Sequence, residues 1–495
     1  MRCDIVNPAL EKENILGTNL ENNIRIIMNY FHHTEDLIKR EIRFSDKSGV
    51  ILYIDGLVKK EFLQFSVIEP LIEDQQTDLE YVLRTYETKT TNRISIIGEE
   101  LLNGYCIVLL ENNSKAILAN ISEDSGRSIT EPEDEKIING PHDGFVESLG
   151  TNVLLIRKRI KSQDLKVKYF RIGDITNTKI GLIYIENLAN KELLKEVETR
   201  INSIDIDTLH SSGTLEELIE DHPYSPFPQM LRTERPDRAV SYLTEGKISL
   251  IVDGSPRILV IPINFFTLYQ TPDDYNTRWL VGSFYRLLRV CSFFIAISLP
   301  AIYIAIVSYH SEVLPIGILY SVRVSLEYVP FIPLVEALLM QIVLELLKEA
   351  SIRLPTPIAQ TIGIVGGLVI GTAVVEANLV SNTMIVIIGF TAVASFVSPI
   401  NEMGTSVRLM GLPTMIAASL FGFFGIIITL MVILMHLCKL EAFGTPYFYP
   451  LAPLNKDGLK DAFIRLPIWK FTKRPTDAKP KKVIQQRLTR AWRRK

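Results

Sequence analysis

Glu376 stands in an apolar run, IAQTIGIVGGLVIGTAVVEANLV (358–380), with Thr372 one helical turn before it and Gln360 near the start. An ionisable side chain in such a run costs at least about 2.5 kcal/mol at the centre of a bilayer and less toward an end. It is tolerated where it meets water, a cation or a partner. The chemistry these residues suit is therefore the passage of an ion, not the making of bonds. A second reading puts Glu376 at the headgroup boundary, where it needs no such role. Glu336, in FIPLVEALLMQIVLELLKE (331–349), is a further candidate of the same kind. Gly363, Gly367 and Gly371 recur every four residues, a GxxxGxxxG face that lets a neighbouring helix approach closely. That neighbour can belong to the same chain or to a second copy, and the spacing leaves both open.

Other chemistry is hard to find. The chain has no GxxxxGK[ST] phosphate loop, no GxGxxG after a strand, no HExxH and no GxSxG. His210 and His222 lie near Asp205, Asp207 and Asp221, a setting that reads as solvated polar loop. The seven His are scattered without metal-ligand spacing. Cys3, Cys106, Cys291 and Cys438 lie far apart and form no CxxC, which fits a reducing compartment. No catalytic residue, metal, cofactor or nucleic-acid partner is assigned, and the chain is not read as an enzyme.

The elements that must position these residues follow from how charge is spread. Residues 1–282 carry a net charge of -13, residues 455–495 carry +11, and the 172 residues between hold only 15 charged side chains. With 495 residues the chain exceeds what one core holds, about 250–300 residues. The split excludes a wholly soluble enzyme and a disordered chain alike. The expected division is a first α/β lobe with a helical start (1–130), a linker (131–149), a second α/β lobe (150–282), a helical membrane domain (283–454) and a basic tail (455–495). The opening MRCDIVNPALEKENILG lacks the apolar core of a secretory signal, so the front end is expected to be cytosolic.

Four stretches have the apolar character of spans: 287–309, 358–380, 382–398 and 412–438. In 331–349, Gln341, Glu345, Lys348 and Glu349 gather on one helical face, which suits an in-plane or re-entrant helix. Arg278, Arg286 and Arg289 around the start of the first span and the basic tail after the last put both ends on the cytosolic side, an even number of crossings. Prolines at 300, 330, 333, 355, 357, 399 and 413 break or bound these helices, as kinks or as openings onto a cavity.

In the soluble half, strand-like and helix-like runs alternate through 45–265. YIDGLVKKEFL and YIENLANKELL, aligned at Tyr53 and Tyr184, agree at six of eleven places and predict two related lobes, about 25–130 and 150–265. Hairpins are predicted around Asn112-Asn113 and Asp253-Gly254. Thr233 is predicted to cap a helix with Pro236 in its first turn, with Arg235 and Asp237 as cap and surface groups. The tail reads either as a solvated segment or as a binder of anionic lipid.

Four long segments, in order, resemble the A subunit of GerA-type spore germinant receptors: 131–160, 225–256, 348–381 and 443–453. The second contains Glu234, Arg235, Pro236, Asp237, Asp253, Gly254 and Pro256 as TERPDRAVSYLTEGKISLIVDGSP. Ser351 and Ala359 stand where glycine is usual in that family, and Thr372 where a longer polar residue is common. The resemblance implies a multi-pass protein of the inner spore membrane with both termini cytosolic. It also implies a transporter-like B subunit, a lipoprotein C subunit and homo-oligomers forming a nutrient-gated ion channel that releases cations. Membrane lipids are further expected partners. A related stage V sporulation membrane protein shares the architecture, and a membrane-anchored signalling or scaffold subunit without its own pore is a further alternative. A secondary transporter would require an internal repeat in the membrane half, and none is found.

Overall fold

The computed structural model describes residues 15–490 apart from 45–46, 74–81, 86, 123–130, 133–134, 355, 457 and 487–488. The chain divides into two compact units. One gathers the residues up to Asp221, Met230–Ile263 and the tail from Phe471; the other gathers His222–Gln229 and Asn264–Lys470.

In the first unit α1 (Leu20–Tyr30) begins at Asn19, whose side chain accepts the Asn22 N–H at 2.9 Å. Such a cap satisfies a donor the helix leaves free. β1 (Leu37–Phe44) and β2 (Lys47–Ile54) form a hairpin, followed by helical residues 60–73, β3 (Thr88–Thr91), α2 (Ile94–Leu102), β4 (Tyr105–Leu110) and β5 (Ala116–Asn120). The sheet order is β1-β2-β4-β5-β3. α3 (Leu149–Arg159) then opens the same sequence of elements again. It leads to β6 (Leu165–Ile172), β7 (Thr178–Ile185), α4 (Lys191–Asn202), α5 (Ser212–Ile219), β8 (Leu231–Thr233), α6 (Pro236–Glu245), β9 (Ile248–Val252) and β10 (Ile258–Ile261). This sheet runs β6-β7-β9-β10-β8, the first order repeated strand for strand. Tyr53 and Tyr184 occupy the same place, the last residue but one of β2 and of β7. Within both sheets the strand pairs are antiparallel.

β4, YCIVLL, is buried along its whole length because both faces of its sheet are covered. Ile107 and Leu109 pack with residues of α1 and α2, whereas Cys106 and Val108 pack with Val67 and Leu71 of the 60–73 helical stretch. Burial pushes the Cys106 thiol up to about 12, so it is a packing residue and not a nucleophile at neutral pH. Leu154 of α3 joins the first lobe's core. Beside it the Arg157 guanidinium donates to Asp36 at 2.8 Å and to Thr34 at 3.3 Å, with both ion-pair side chains fully buried. The basic tail docks on the second lobe: Arg474 donates to the Thr244 carbonyl, Lys481 N–H to the Leu188 carbonyl, and Lys247 pairs with Asp477 at 3.1 Å.

The second unit is helical: α7 (Trp279–Tyr309), α8 (Ile316–Glu327), α9 (Pro333–Arg353), α10 (Thr356–Glu376), α11 (Asn382–Phe396), α12 (Asn401–Phe421) and α13 (Phe423–Lys439). Its core gathers Ala301, Ile304, Met384, Ile388, Met415 and Ile426. Among the described residues α7 is the one helix long and apolar enough to cross a membrane; Gly366–Glu376, Asn382–Phe396 and Phe423–Lys439 are shorter apolar helices. The stretch 412–438, expected as one span, is broken. Gly422 takes φ 59° and ψ -139°, a conformation glycine tolerates, and a Cβ there would stand 2.8 Å from the His310 ring. α12 and α13 turn back on one another at this point, and a Cβ on Gly425 would lie 2.0 Å from the Ala417 carbonyl.

Candidate functional site

The residues read as an ion path do not converge within one chain. Thr372 is exposed on α10 and its hydroxyl donates back to the Leu368 carbonyl at 2.9 Å. Glu376 is exposed and is the last residue of that helix. The Gln360 side chain lies outside the described residues. A methyl group added to Gly363, Gly367 or Gly371 would meet none of the described atoms within 4 Å, whereas one on Gly366 would lie 2.9 Å from Leu347 Cδ2. Among the described residues α10 therefore leans on α9 through Gly366, and its glycine ladder is uncovered.

Glu336 is placed differently. It is fully buried near the start of α9, and its Oε2 accepts the Ser381 N–H at 2.9 Å. Ser381 is the N-cap of α11, so the carboxylate helps to satisfy the free donors of that helix end. Its Oε1 has no hydrogen-bond partner among the described residues.

Two clusters of charge were visible in the sequence on one side only. Glu345 on α9 pairs with Arg408 on α12, and Arg408 also donates to Thr405 and Ser395 at 3.1 and 3.4 Å. Gln341 and Lys348 join from the same polar face that the spacing had marked. The partner across the gap, Arg408, carried no periodic signal of its own. The second cluster lies at the start of α7. Arg286, fully buried, donates to Asp274 at 3.2 Å and Asp461 at 2.7 Å; Arg289 holds both oxygens of Asp274 at 2.9 Å. Arg465 donates to the Thr277 and Tyr275 carbonyls. These arginines, read as flanking positive charge, knot the segment before α7 to the segment after α13.

A loop at 222–229 belongs to the same unit. Ser225 Oγ lies 3.0 Å from His436 Nε2, Ser406 donates to the Pro226 carbonyl, and Tyr447 donates to the Pro228 carbonyl at 2.8 Å. Sequence reasoning had no signal for it beyond the prolines themselves.

In the first unit the charged motif is a clamp. The helix start is capped at Arg235, not Thr233: the Thr233 hydroxyl ends β8 by donating to Glu135 at 2.5 Å while accepting the Arg235 N–H. Arg235 is 1% exposed and is not a surface group. Its guanidinium donates to the Pro141 carbonyl and to Asp237, both at 2.9 Å. Glu135 also receives the Glu234 N–H and pairs with Arg238, whose positive charge burial disfavours and the Glu135 carboxylate restores. Glu234 pairs with Arg257 at 3.0 Å. Asp253 accepts the Leu149 N–H at the start of α3, and Gly254, at φ 85°, donates to the Glu147 carbonyl; Pro256 follows in the same turn. The seven motif residues thus lie at the edge that holds segment 135–149 in place.

Known proteins give this arrangement its context. The sequence model of the family described as "Bacillus/Clostridium GerA spore germination protein" matches residues 25–477. The chain is 38% identical over 468 residues to "Uncharacterized membrane protein YfkQ" of Bacillus subtilis, covering 93% of this chain and 91% of that protein. It is 37% identical over 487 residues to "Spore germination protein KA" of the same organism, covering 96% and 90%. Among solved structures, the N-terminal domain of the A subunit of the Bacillus megaterium spore germinant receptor GerK3 aligns with 51% of this chain and 97% of that one, at 27% identity and a TM-score of 0.41.

Proposed function

The chain belongs to the GerA spore germination protein family, and from that premise we propose that it is the A subunit of a nutrient-responsive germinant receptor. In this reading it is a multi-pass protein of the inner spore membrane, working with a transporter-like B subunit and a lipoprotein C subunit. Copies of the chain pack through α10 around an ion path, whose opening releases cations. Four crossings with both termini cytosolic remain the proposed topology. It is supported by the Arg286–Asp461 pair, which ties the start of α7 to the segment after α13 and so favours an even count.

The observation that carries the proposal is the uncovered ladder of Gly363, Gly367 and Gly371. A face without side chains gains from a close neighbour in a bilayer, where van der Waals contact supplies what the hydrophobic effect does not. Thr372 and Glu376 then face the lumen between copies, and Gln360 and Glu336 are further polar groups along the path. One observation favours a subunit without its own pore: the Thr372 hydroxyl is already bonded to its own helix, and Glu376 sits at the helix end.

Sizing in detergent followed by planar-bilayer recording separates the two. Gly367→Leu should leave the protein expressed but unassembled and spores unable to germinate. Glu376→Gln and Thr372→Ala should alter conductance or ion selectivity of the reconstituted complex. An assembly that survives Gly367→Leu, with currents indifferent to the polar changes, rejects the channel.

A further inference from the structure

A cavity of about 400 Å³ lies in the second unit between α7 and α13, floored by aromatic rings that include Phe265 and Phe448. Of its lining side chains Tyr269 alone carries an oxygen or nitrogen. The Tyr269 hydroxyl is buried and has no hydrogen-bond partner among the described residues. Burial holds its pKa well above the ordinary value, so it remains a proton donor.

What fills such a space is constrained by its chemistry. A water molecule needs two to four polar partners, and apolar cavities stay dry. An empty space deprives the lining atoms of dispersion contacts. The volume falls in the range of sites that hold small apolar ligands, with few polar groups to fix orientation. Three lining residues, Phe294, Ile427 and Leu434, are each about half exposed on the outer flanks of the two helices. If those flanks face a bilayer, the material that reaches the mouth is hydrocarbon.

We propose that the cavity is a lipid site that takes one acyl chain of a bilayer phospholipid, with Tyr269 Oη donating to the ester carbonyl at the head of that chain. The site rests on the reading of α7 and α13 as membrane helices. Its occupant supplies one acceptor to an otherwise orphaned donor, which sets it apart from lipid that merely coats the protein. Tyr269 is a positioning group for the ester, and the rings beneath it exclude water.

The test uses the full chain in phosphatidylglycerol vesicles containing a lipid with a photoreactive diazirine on its acyl chain. Labelled peptides are mapped by mass spectrometry. Label should concentrate on the buried floor at Phe265 and Phe448, and Leu434→Trp, which fills the mouth, should lower it about tenfold while label on exposed Val386 and Phe390 of α11 is unchanged. Tyr269→Phe should weaken ester lipid about fivefold, the worth of one hydrogen bond. An ether-linked analogue, lacking the carbonyl, should lose the same factor against the parent protein and nothing against Tyr269→Phe. Even labelling of all exposed helix faces with none at the floor overturns the site, as does cross-linking of the cavity residues to a second copy. A chain that never enters the vesicles overturns the membrane reading with it, whereas a chain that enters without floor labelling overturns the lipid site alone.

Discussion

In the first unit the charged motif at 234–237 points inward: Arg235 is buried, and Glu135 collects Thr233, the Glu234 N–H and Arg238 around one carboxylate. In the second unit the polar residues of α10 point outward, Thr372 and Glu376 being exposed on the helix of Gly363, Gly367 and Gly371, where an added methyl group would meet none of the described atoms within 4 Å. Desolvation explains why the difference matters. A buried charge without partners costs several kcal/mol, so the charges of the inward motif are paired within the chain. The outward set carries no such penalty as a single copy, and under the proposed assembly it is the part a second copy would meet. The first region describes how one chain folds; the second is where the proposed assembly is tested.

Substitutions in the first unit should therefore act on stability, and the largest effect belongs to Arg157. Its removal leaves Asp36 buried and unpaired between the lobes, a loss of about 3–5 kcal/mol. Arg157→Ala should show it as a drop in the urea midpoint or as early proteolysis within residues 30–170 of the full chain. A midpoint within error of the parent would mean the two lobes do not depend on that pair. Glu135→Gln is milder. It keeps an oxygen for Thr233 but removes the charge facing Arg238, and should cost about 1–3 kcal/mol with protection lost first from 135–149.

The tail supplies a test in pH. Burial alone would lower the pKa of Lys247; the charges of Asp477 and Glu245 overcome it and raise the pKa above the ordinary value. A folded pKa above the unfolded one means the contribution is complete below about pH 10.4 and is lost as pH climbs through the folded value. Limited proteolysis should find residues 471–490 protected at pH 8 and released above that range, and Lys247→Met should release them at pH 8. Release of the parent's tail near neutrality would assign its docking to something other than this pair.

What the sequence disclosed and what it hid divide along the same line of reach. The hairpins at Asn112 and Gly254 were legible because the residues that take φ 60° and 85° announce themselves locally. The doubled lobe was legible because Tyr53 and Tyr184 sit in strand-then-helix segments whose chemistry is short-range. Thr233 was misread as a cap because its hydroxyl is engaged by Glu135, 98 residues away, and Arg235 was misread as a surface group because two of its acceptors, the Glu135 and Pro141 carbonyls, lie on that same distant segment. Gly422 was missed for another reason. A glycine inside an apolar run leaves the hydropathy of that run almost untouched, while its backbone angles end one helix and start the next. Arg286 and Arg289 were counted as charges flanking a span, and neither the burial of Arg286 against Asp274 and Asp461 nor the hold of Arg289 on Asp274 had a trace in composition.

The smallest expected effect is the sharpest test of the comparison. Gly363 and Gly366 lie on one helix, three residues apart, in the same apolar run. Replacing a helical glycine with alanine gains up to about 1 kcal/mol from the backbone alone. At Gly363 nothing described lies within 4 Å of the new methyl group, so the isolated chain should keep that gain. At Gly366 the methyl group meets Leu347 Cδ2 at 2.9 Å, and the shift of that side chain should cancel most of it. Thermal unfolding in detergent at high dilution should thus rank Gly363→Ala at or above the parent, with Gly366→Ala close to it. Self-association in lipid, followed by sizing or energy transfer between labelled copies, should weaken for Gly363→Ala and stay unchanged for Gly366→Ala. A gain in stability together with a loss of association is what a face reserved for a second copy produces. If Gly363→Ala gains stability and associates as before, that face meets lipid only, and the outward set of α10 is surface in the ordinary sense.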